Sequence, residues 1–386
     1  MPKFDDLSRS LVALDQDSTL IVVIEMSQSQ WLVGGIVPGL EREPQKKLTP
    51  DAPALLALLH RWREEAAKAG RGVKRVCVAY EAGRDGFWLA RWLHEQGIEC
   101  HVIHPTSIAV SREHRRAKSD RLDLELLKRA FLGWLRGEKK HCSMAAIPSL
   151  AEEDARRLNR ERQSLTGEAS RIVNRMKASL ARLGIRDVNV KLPGAAVRLD
   201  ELRTGEGAAL PPLTRAELRR ELARLALIRA QLKEIEAARQ QQRQQAPAAY
   251  RRKVGALSQV HGLGAATADM LTVEVFSRAL RDRRAVARYA GLTGAPDESG
   301  KKRREKGLAR AGNARVRHGM IQLAWRFLKF QPDSALAQWY RAQTASGRSD
   351  IRKTMIVALA RKLLIALWRL ATTGEVPHGI RLRPAV

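Results

Sequence analysis

Cysteine is scarce in this chain: Cys77, Cys100 and Cys142 stand far apart. There is no CxxC pair and no Cys/His cluster. That spacing excludes an ordinary zinc site and a disulfide framework, and it fits a reducing compartment. Long apolar runs are also lacking. No uncharged stretch approaches the roughly 20 residues that cross a bilayer, and the best candidate, TMIVALARKLLIALW, is interrupted by Arg361 and Lys362. The opening residues, MPKFDDLSRS, do not place an apolar stretch after a basic one, so no signal peptide is expected. A cytoplasmic protein without a membrane span is the expectation. Acidic residues are in deficit, with 41 Asp and Glu against 70 Lys and Arg, leaving +29 on 386 residues.

Hydrophobic residues make up 44% of the chain, enough to build real cores, so charge-driven disorder is excluded. The length predicts two to three domains. The charge calls for a polyanionic partner, and nucleic acid comes first because neutralising phosphates releases counterions. The charge is uneven: net +4 over residues 1–140, +7 over 141–249 and +18 over 250–386. The strongest footprint for a polyanion is therefore C-terminal.

Along the chain, TLIVVIEMSQSQWLVGGIV reads as two strands around a polar turn. APALLALLHRWREEAAKAG then reads as a helix, VKRVCVAYE as a buried strand ending at Glu81, FWLARWLHEQG as a helix, IECHVIHP as a strand and KSDRLDLELLKRAFLGWL as a long helix. This alternation predicts a mixed α/β domain over residues 1–148. Residues 149–250 predict a long helical hairpin, coiled-coil-like, with Leu218, Leu222, Leu225, Leu232 and Ile235 at helical spacing and Thr214 with Glu217 as a capping box. A plain helical linker is the alternative. Residues 251–386 predict a mainly α-helical domain. Most of the eight tryptophans fall on apolar faces and read as core, and the histidines form no ligand-spaced cluster.

Three motifs carry chemistry. The first is a carboxylate set: Glu25 and Glu81 end strands, and Asp120 with Asp123 share one face at the start of a helix. Strand ends meeting a helix start are where α/β folds build sites. Crowded carboxylates repel unless cations hold them, and hard oxygen donors suit Mg²⁺ (or Mn²⁺) in phosphoryl transfer. Taken singly, each acid also reads as a solvated surface group. The second motif is VHGLGAATADML, where Gly262 and Gly264 permit a tight turn with backbone N–H groups facing a phosphate, as in a helix–hairpin–helix. The alternative is a helix–helix turn without a ligand. The third is YAGLTGAPDESGKKRREKGLARAGNARVRH. Ser299 precedes a basic run, Lys301, Lys302, Arg303, Arg304 and Lys306, followed by Arg310, Asn313 and Arg315. Cations there offset charge on a phosphate, with Ser299 either the attacking group or a turn residue.

In this order the blocks VVIEMSQSQW, VAYEAGRDG, KSDRLD, HGLGAATA, YAGLTGAPDESGKKRREKG and ARAGNARVRH resemble DEDD-type insertion-sequence transposases. Those enzymes have a RuvC-like (RNase H-like) N-terminal domain and a C-terminal serine-bearing transposase domain, and are guided by a bridge RNA. The resemblance implies that Glu25, Glu81, Asp120 and Asp123 are the four catalytic acids holding Mg²⁺, with Glu25 standing where the family usually has Asp. It implies that Ser299 attacks the DNA phosphodiester to form a 5′-phosphoserine link. It further implies DNA ends and target, a structured guide RNA, and homodimers pairing into a tetramer as partners. Two other readings stay open. One is a RuvC-like metal-dependent nuclease or resolvase using water; the other is a non-catalytic nucleic-acid-binding scaffold.

Overall fold

The apolar run at residues 19–24 becomes the innermost strand of the protein. The computed structural model describes residues 7–83, 85–108, 119–138, 141–192, 194–278, 280–299, 302–308, 311–345 and 347–383; residues 295–299 and 302–306 are described by their backbone. In chain order the first elements are β1 (Thr19–Met26), β2 (Trp31–Ile36), β3 (Gln45–Leu48), α1 (Ala52–Lys68), β4 (Arg75–Glu81), α2 (Trp88–Glu95), β5 (Glu99–Ile103), α3 (Asp120–Leu135) and β6 (Met144–Ala145). They form one six-stranded sheet in the order β3-β2-β1-β4-β5-β6. The first three strands are an antiparallel meander, β1, β4 and β5 are parallel, and β6 returns antiparallel. This is the mixed α/β layer that the alternation predicts; β3, with one apolar residue in four, and β6, two residues long, are additions.

Both faces of β1 are buried, which explains its unbroken apolar sequence. Leu20, Val22 and Ile24 pack with Leu55 and Trp62 of α1 and Leu89 of α2, while Ile21 and Val23 pack with Leu124, Phe131 and Trp134 of α3. In β2, glycines make room for both layers. A Cβ on Gly34 would lie 2.8 Å from Leu124 Cδ2, and one on Gly35 would lie 2.6 Å from Trp62 Cζ3. Asp51 caps α1 by accepting from the Ala54 amide at 3.1 Å.

Helices follow: α4 (Leu150–Asp154), α5 (Arg157–Arg182), α6 (Ala195–Glu201), α7 (Pro212–Gln245), α8 (Ala248–Ser258) and α9 (Ala265–Leu271), the last running into a π-helical turn, Thr272–Phe276. α5 and α7 pack together through Ile172, Met176 and Leu180 against Leu218, Leu225 and Ile228, while Leu222 and Leu232 are only partly buried. The expected capping box is not used. α7 starts at Pro212, with Pro211 as N-cap and no side-chain cap, because proline at the first helical position already sets the required φ.

Next come α10 (Arg283–Tyr289), β7 (Gly294–Ser299), β8 (Lys302–Leu308), α11 (Ala314–Phe330), α12 (Ala335–Gln343) and α13 (Ser349–Thr373). The antiparallel β7–β8 hairpin places two strands within residues 251–386, where the sequence predicts mainly helices. Among the described residues no helix is long and apolar enough to cross a membrane. The chain divides into two compact units: Met1–Ala151 with Ala279–Ala314, and Glu152–Arg278 with Arg315–Val386. The hairpin segment thus groups with the sheet.

Candidate active site

β1 and β4 are neighbours and parallel, with Ile24 in register with Tyr80. Glu25 and Glu81, one residue further on each strand, therefore leave the sheet at the same end, side by side at strand spacing. α3 crosses the face of β1, β2 and β4 and brings its first turn to that end. There Glu25, Glu81 and Asp123 line one cleft of about 540 Å³, with Ser27 and Gln28 on its rim. Asp120, the first residue of α3, is exposed and is not part of the lining. Asp85 is. Nothing in the local sequence marks Asp85 except its place four positions beyond the strand-end Glu81.

Three features hold α3 so that Asp123 faces the cleft. Ser119 caps the helix, its Oγ accepting from the Leu122 amide at 3.3 Å. Leu124 fills the space left by Gly34. Lys128, only 5% exposed, donates to Glu125 at 2.8 Å and pairs with Glu43, while Gln45 donates to Glu125 at 2.9 Å, tying α3 to the β2–β3 edge. Burial pulls the Lys128 ammonium down, but its hydrogen bonds to Glu125 and Glu43 outweigh it, so the net shift is upward and the charge is kept.

The donor set is carboxylate oxygen alone, which suits a hard divalent cation. The acids stand around the cleft without being drawn together. Among the described residues, no group of three or more His, Cys, Asp or Glu side chains is gathered closely enough to hold a metal ion.

Ser299 ends β7, in backbone register with Lys302, as are Glu298 with Arg303 and Asp297 with Arg304. Lys306 lies in the same β8 strand. Lys301 and Arg310 lie outside the described residues. Asn313 is held within the fold, its backbone amide donating to the Tyr289 carbonyl at 2.7 Å and its side chain to the Tyr289 hydroxyl at 3.3 Å. Arg315 lies in the other unit.

Gly262 and Gly264 sit in the turn between α8 and α9. Gly262 has φ +86, and a Cβ there would lie 2.6 Å from Phe330 Cβ, so a close packing contact requires glycine. Gly264 is the N-cap of α9 and faces open space.

Comparison with known proteins points one way. A model of the Transposase IS116/IS110/IS902 family matches residues 254–340, which include Ser299. A second model, described as a transposase of the DEDD type of IS110, matches residues 41–185, which include Glu81, Asp120 and Asp123 but begin after Glu25. The protein y4rJ of Sinorhizobium fredii (strain NBRC 101917 / NGR234), which carries transposase in its name, is 40% identical over 373 residues, covering 93% of each chain.

Proposed function

The chain belongs to the IS116/IS110/IS902 transposase family and is a DNA-cleaving and rejoining enzyme with a RuvC-like DEDD domain, and we propose that it moves an insertion sequence through a serine–DNA intermediate. The observation that carries this reading is that Glu25, Glu81 and Asp123 line one cleft. Membership of the Ser299 hairpin in the same compact unit as that cleft adds to it.

In the proposed reaction the Ser299 hydroxyl attacks the scissile phosphorus. The Oγ–P bond forms as the P–O3′ bond breaks, leaving the 5′-phosphate on Ser299 and placing the serine proton on the released 3′-hydroxyl. A 3′-hydroxyl of a second strand then attacks the phosphoserine, joins the strands and returns a proton to Ser299. Bond energy is retained in the ester, so no ATP is consumed. The basic run around Ser299, including Lys301, Lys302, Arg303, Arg304 and Lys306, offsets charge on the phosphate. Glu25, Glu81 and Asp123, with Asp120 one turn behind, would hold Mg²⁺ or Mn²⁺. Such an ion, when bound, stabilises negative charge on the phosphoryl oxygens.

The resemblance extends the proposal to partners. DNA ends and target are selected through a structured guide RNA, two chains pair through the α5–α7 hairpin, and dimers join as a tetramer. The α8–turn–α9 segment acts as a helix–hairpin–helix on the DNA backbone.

The test is a covalent adduct. The protein is produced with its flanking DNA, denatured rapidly, and examined for DNA joined to wild type and to Ser299→Ala. DNA on wild type alone is the expected result, with Asp123→Asn losing both cleavage and its response to Mg²⁺. Mg²⁺-dependent nicks without any adduct would replace this reading by a nuclease that uses water.

A further inference from the structure

The second compact unit carries a groove of about 400 Å³ walled by α5 on one side and α11 on the other, with α9 and the π-helical turn between them. None of the carboxylate chemistry uses it. Its α5 wall begins with two anchored arginines. Arg160 donates from Nε at 3.0 Å and from Nη2 at 3.4 Å to Glu274, a carboxylate whose side chain is 2% exposed. Arg162 donates from Nε to Glu236, which also receives Arg239 Nη1 at 2.9 Å. Each guanidinium is thus held from behind, while 37% and 39% of the two side chains remain exposed. A guanidinium has five N–H donors, so one fixed by its inner edge still offers outer donors to a second oxyanion, and its orientation is set in advance.

One and two turns further on, the same wall changes character. The Thr166 hydroxyl donates to the Arg162 carbonyl at 2.8 Å and the Ser170 hydroxyl to the Thr166 carbonyl at 2.9 Å. With their protons committed to the helix, these oxygens face the groove as acceptors. On the α11 wall, Arg315 and Gln322 line the groove, the Gln322 amide nitrogen lying 2.9 Å from His318 Nε2. Along α5, cationic donors therefore lie in the first turns and neutral acceptors about 6–15 Å further on.

A ligand that matches this order carries an anion at one end and donor groups beyond it. A nucleotide strand does so, through its phosphate and then its sugar or base edge. The groove holds one or two nucleotides and is too small for a duplex, whose bases would have to be turned out to enter it. Among the described residues no Phe, Tyr or Trp lines it, so a base there would be held by its edge and not by stacking.

We propose that this groove binds a single-stranded polynucleotide, phosphate on Arg160 and Arg162 and sugar or base edge on Thr166 and Ser170. The proposal is independent of the serine chemistry. The full-length protein is titrated with labelled single-stranded RNA, single-stranded DNA and duplex DNA. The single strands are about 12 nucleotides long, within the span of single-strand sites. Two variants are compared with wild type. Gln163→Glu combined with Gln322→Glu places two carboxylates in the groove and removes no ion pair. Gly167→Leu fills it, since a Cβ at 167 meets nothing nearer than Arg171 Nη1 at 3.5 Å.

Single-strand affinity is expected to fall about tenfold or more in both, with a shallower salt dependence for the charged variant and unchanged duplex affinity. The RNA and DNA arms show which sugar the acceptors favour. Unchanged single-strand affinity in both folded groove variants overturns the proposal, as does equal competition by an acidic peptide. Wild-type protein gives a second readout that does not depend on the variants folding. A strand carrying thiouridine or thiothymidine is expected to cross-link within residues 157–170 or 314–322, and cross-links confined elsewhere would refute the groove.

Discussion

Glu99 shows how one residue sets an acid limit for the sheet. Arg75 donates to it from Nε and Nη2, both at 2.7 Å, and His101 Nε2 lies 2.7 Å from the same carboxylate. Burial pushes the Glu99 carboxyl up, but the hydrogen bonds from His101 and Arg75 outweigh it and hold the group well below the usual carboxylate range. Beside it, burial pushes the Cys77 thiol up to about 12, so it stays protonated across this range. A depressed folded pKa adds stability above the unfolded value, about 4.3 for glutamate, and that stability is lost as pH falls below it. Thermal melts from neutral pH down to about pH 3 should therefore show a steeper acid decline for wild type than for Glu99→Gln. The variant should start lower at neutral pH and converge toward wild type in acid. Parallel curves would mean that the cluster contributes nothing to acid stability.

At the scale of elements, α3 joins stability to chemistry. Its N-cap, Ser119, precedes the turn that carries Asp120 and Asp123. Ser119→Ala should cost about 1 kcal/mol of stability. Because the same turn aims Asp123 at the cleft, DNA cleavage should fall about ten- to a hundredfold, more than the lost stability explains. Ser119→Asp should restore both. Full cleavage by a destabilised Ser119→Ala would show that Leu124 and Lys128 alone seat the helix. α3 was legible from Leu122, Leu126, Leu127 and Phe131 at helical spacing, although the face it buries runs through Leu124, Leu127 and Phe131 and leaves Leu122 exposed. The β7–β8 hairpin was not. GAPDES and KRREKGL carry charge where a half-buried strand would alternate, so the period-two signal is missing. The strand-end positions of Glu25 and Glu81 could be read from sequence. The exclusion of Asp120 from the cleft lining could not, because spacing places two residues on one helix face without saying how far along it the cleft extends.

Across the whole molecule, long-range ties were the least legible feature. Arg239 sits in AARQQQRQQ, a stretch that reads as a solvated helix face, yet its side chain is fully buried. It donates to Asp269, itself 1% exposed, from Nη2 at 2.9 Å and Nε at 3.3 Å, and to the Ala266 carbonyl. Asn159 and Tyr250 also donate to Asp269. One carboxylate thereby binds α5, α7, α8 and α9, elements spread over 110 residues of chain. Sequence periodicity cannot show this, since a partner 30 residues away leaves no local pattern. The consequence is measurable. Asp269→Ala takes from the buried Arg239 guanidinium its buried anion, leaving only the half-exposed Glu236, and should cost about 3–5 kcal/mol, as should Arg239→Met, which strands the carboxylate. The double variant Arg239→Met with Asp269→Ala removes both charges together and should be less destabilised than the sum of the singles by more than about 1 kcal/mol. Urea unfolding of the four proteins gives the cycle directly. Additive losses would show that the pair is not coupled and that packing alone joins the helical hairpin to the helices that follow it.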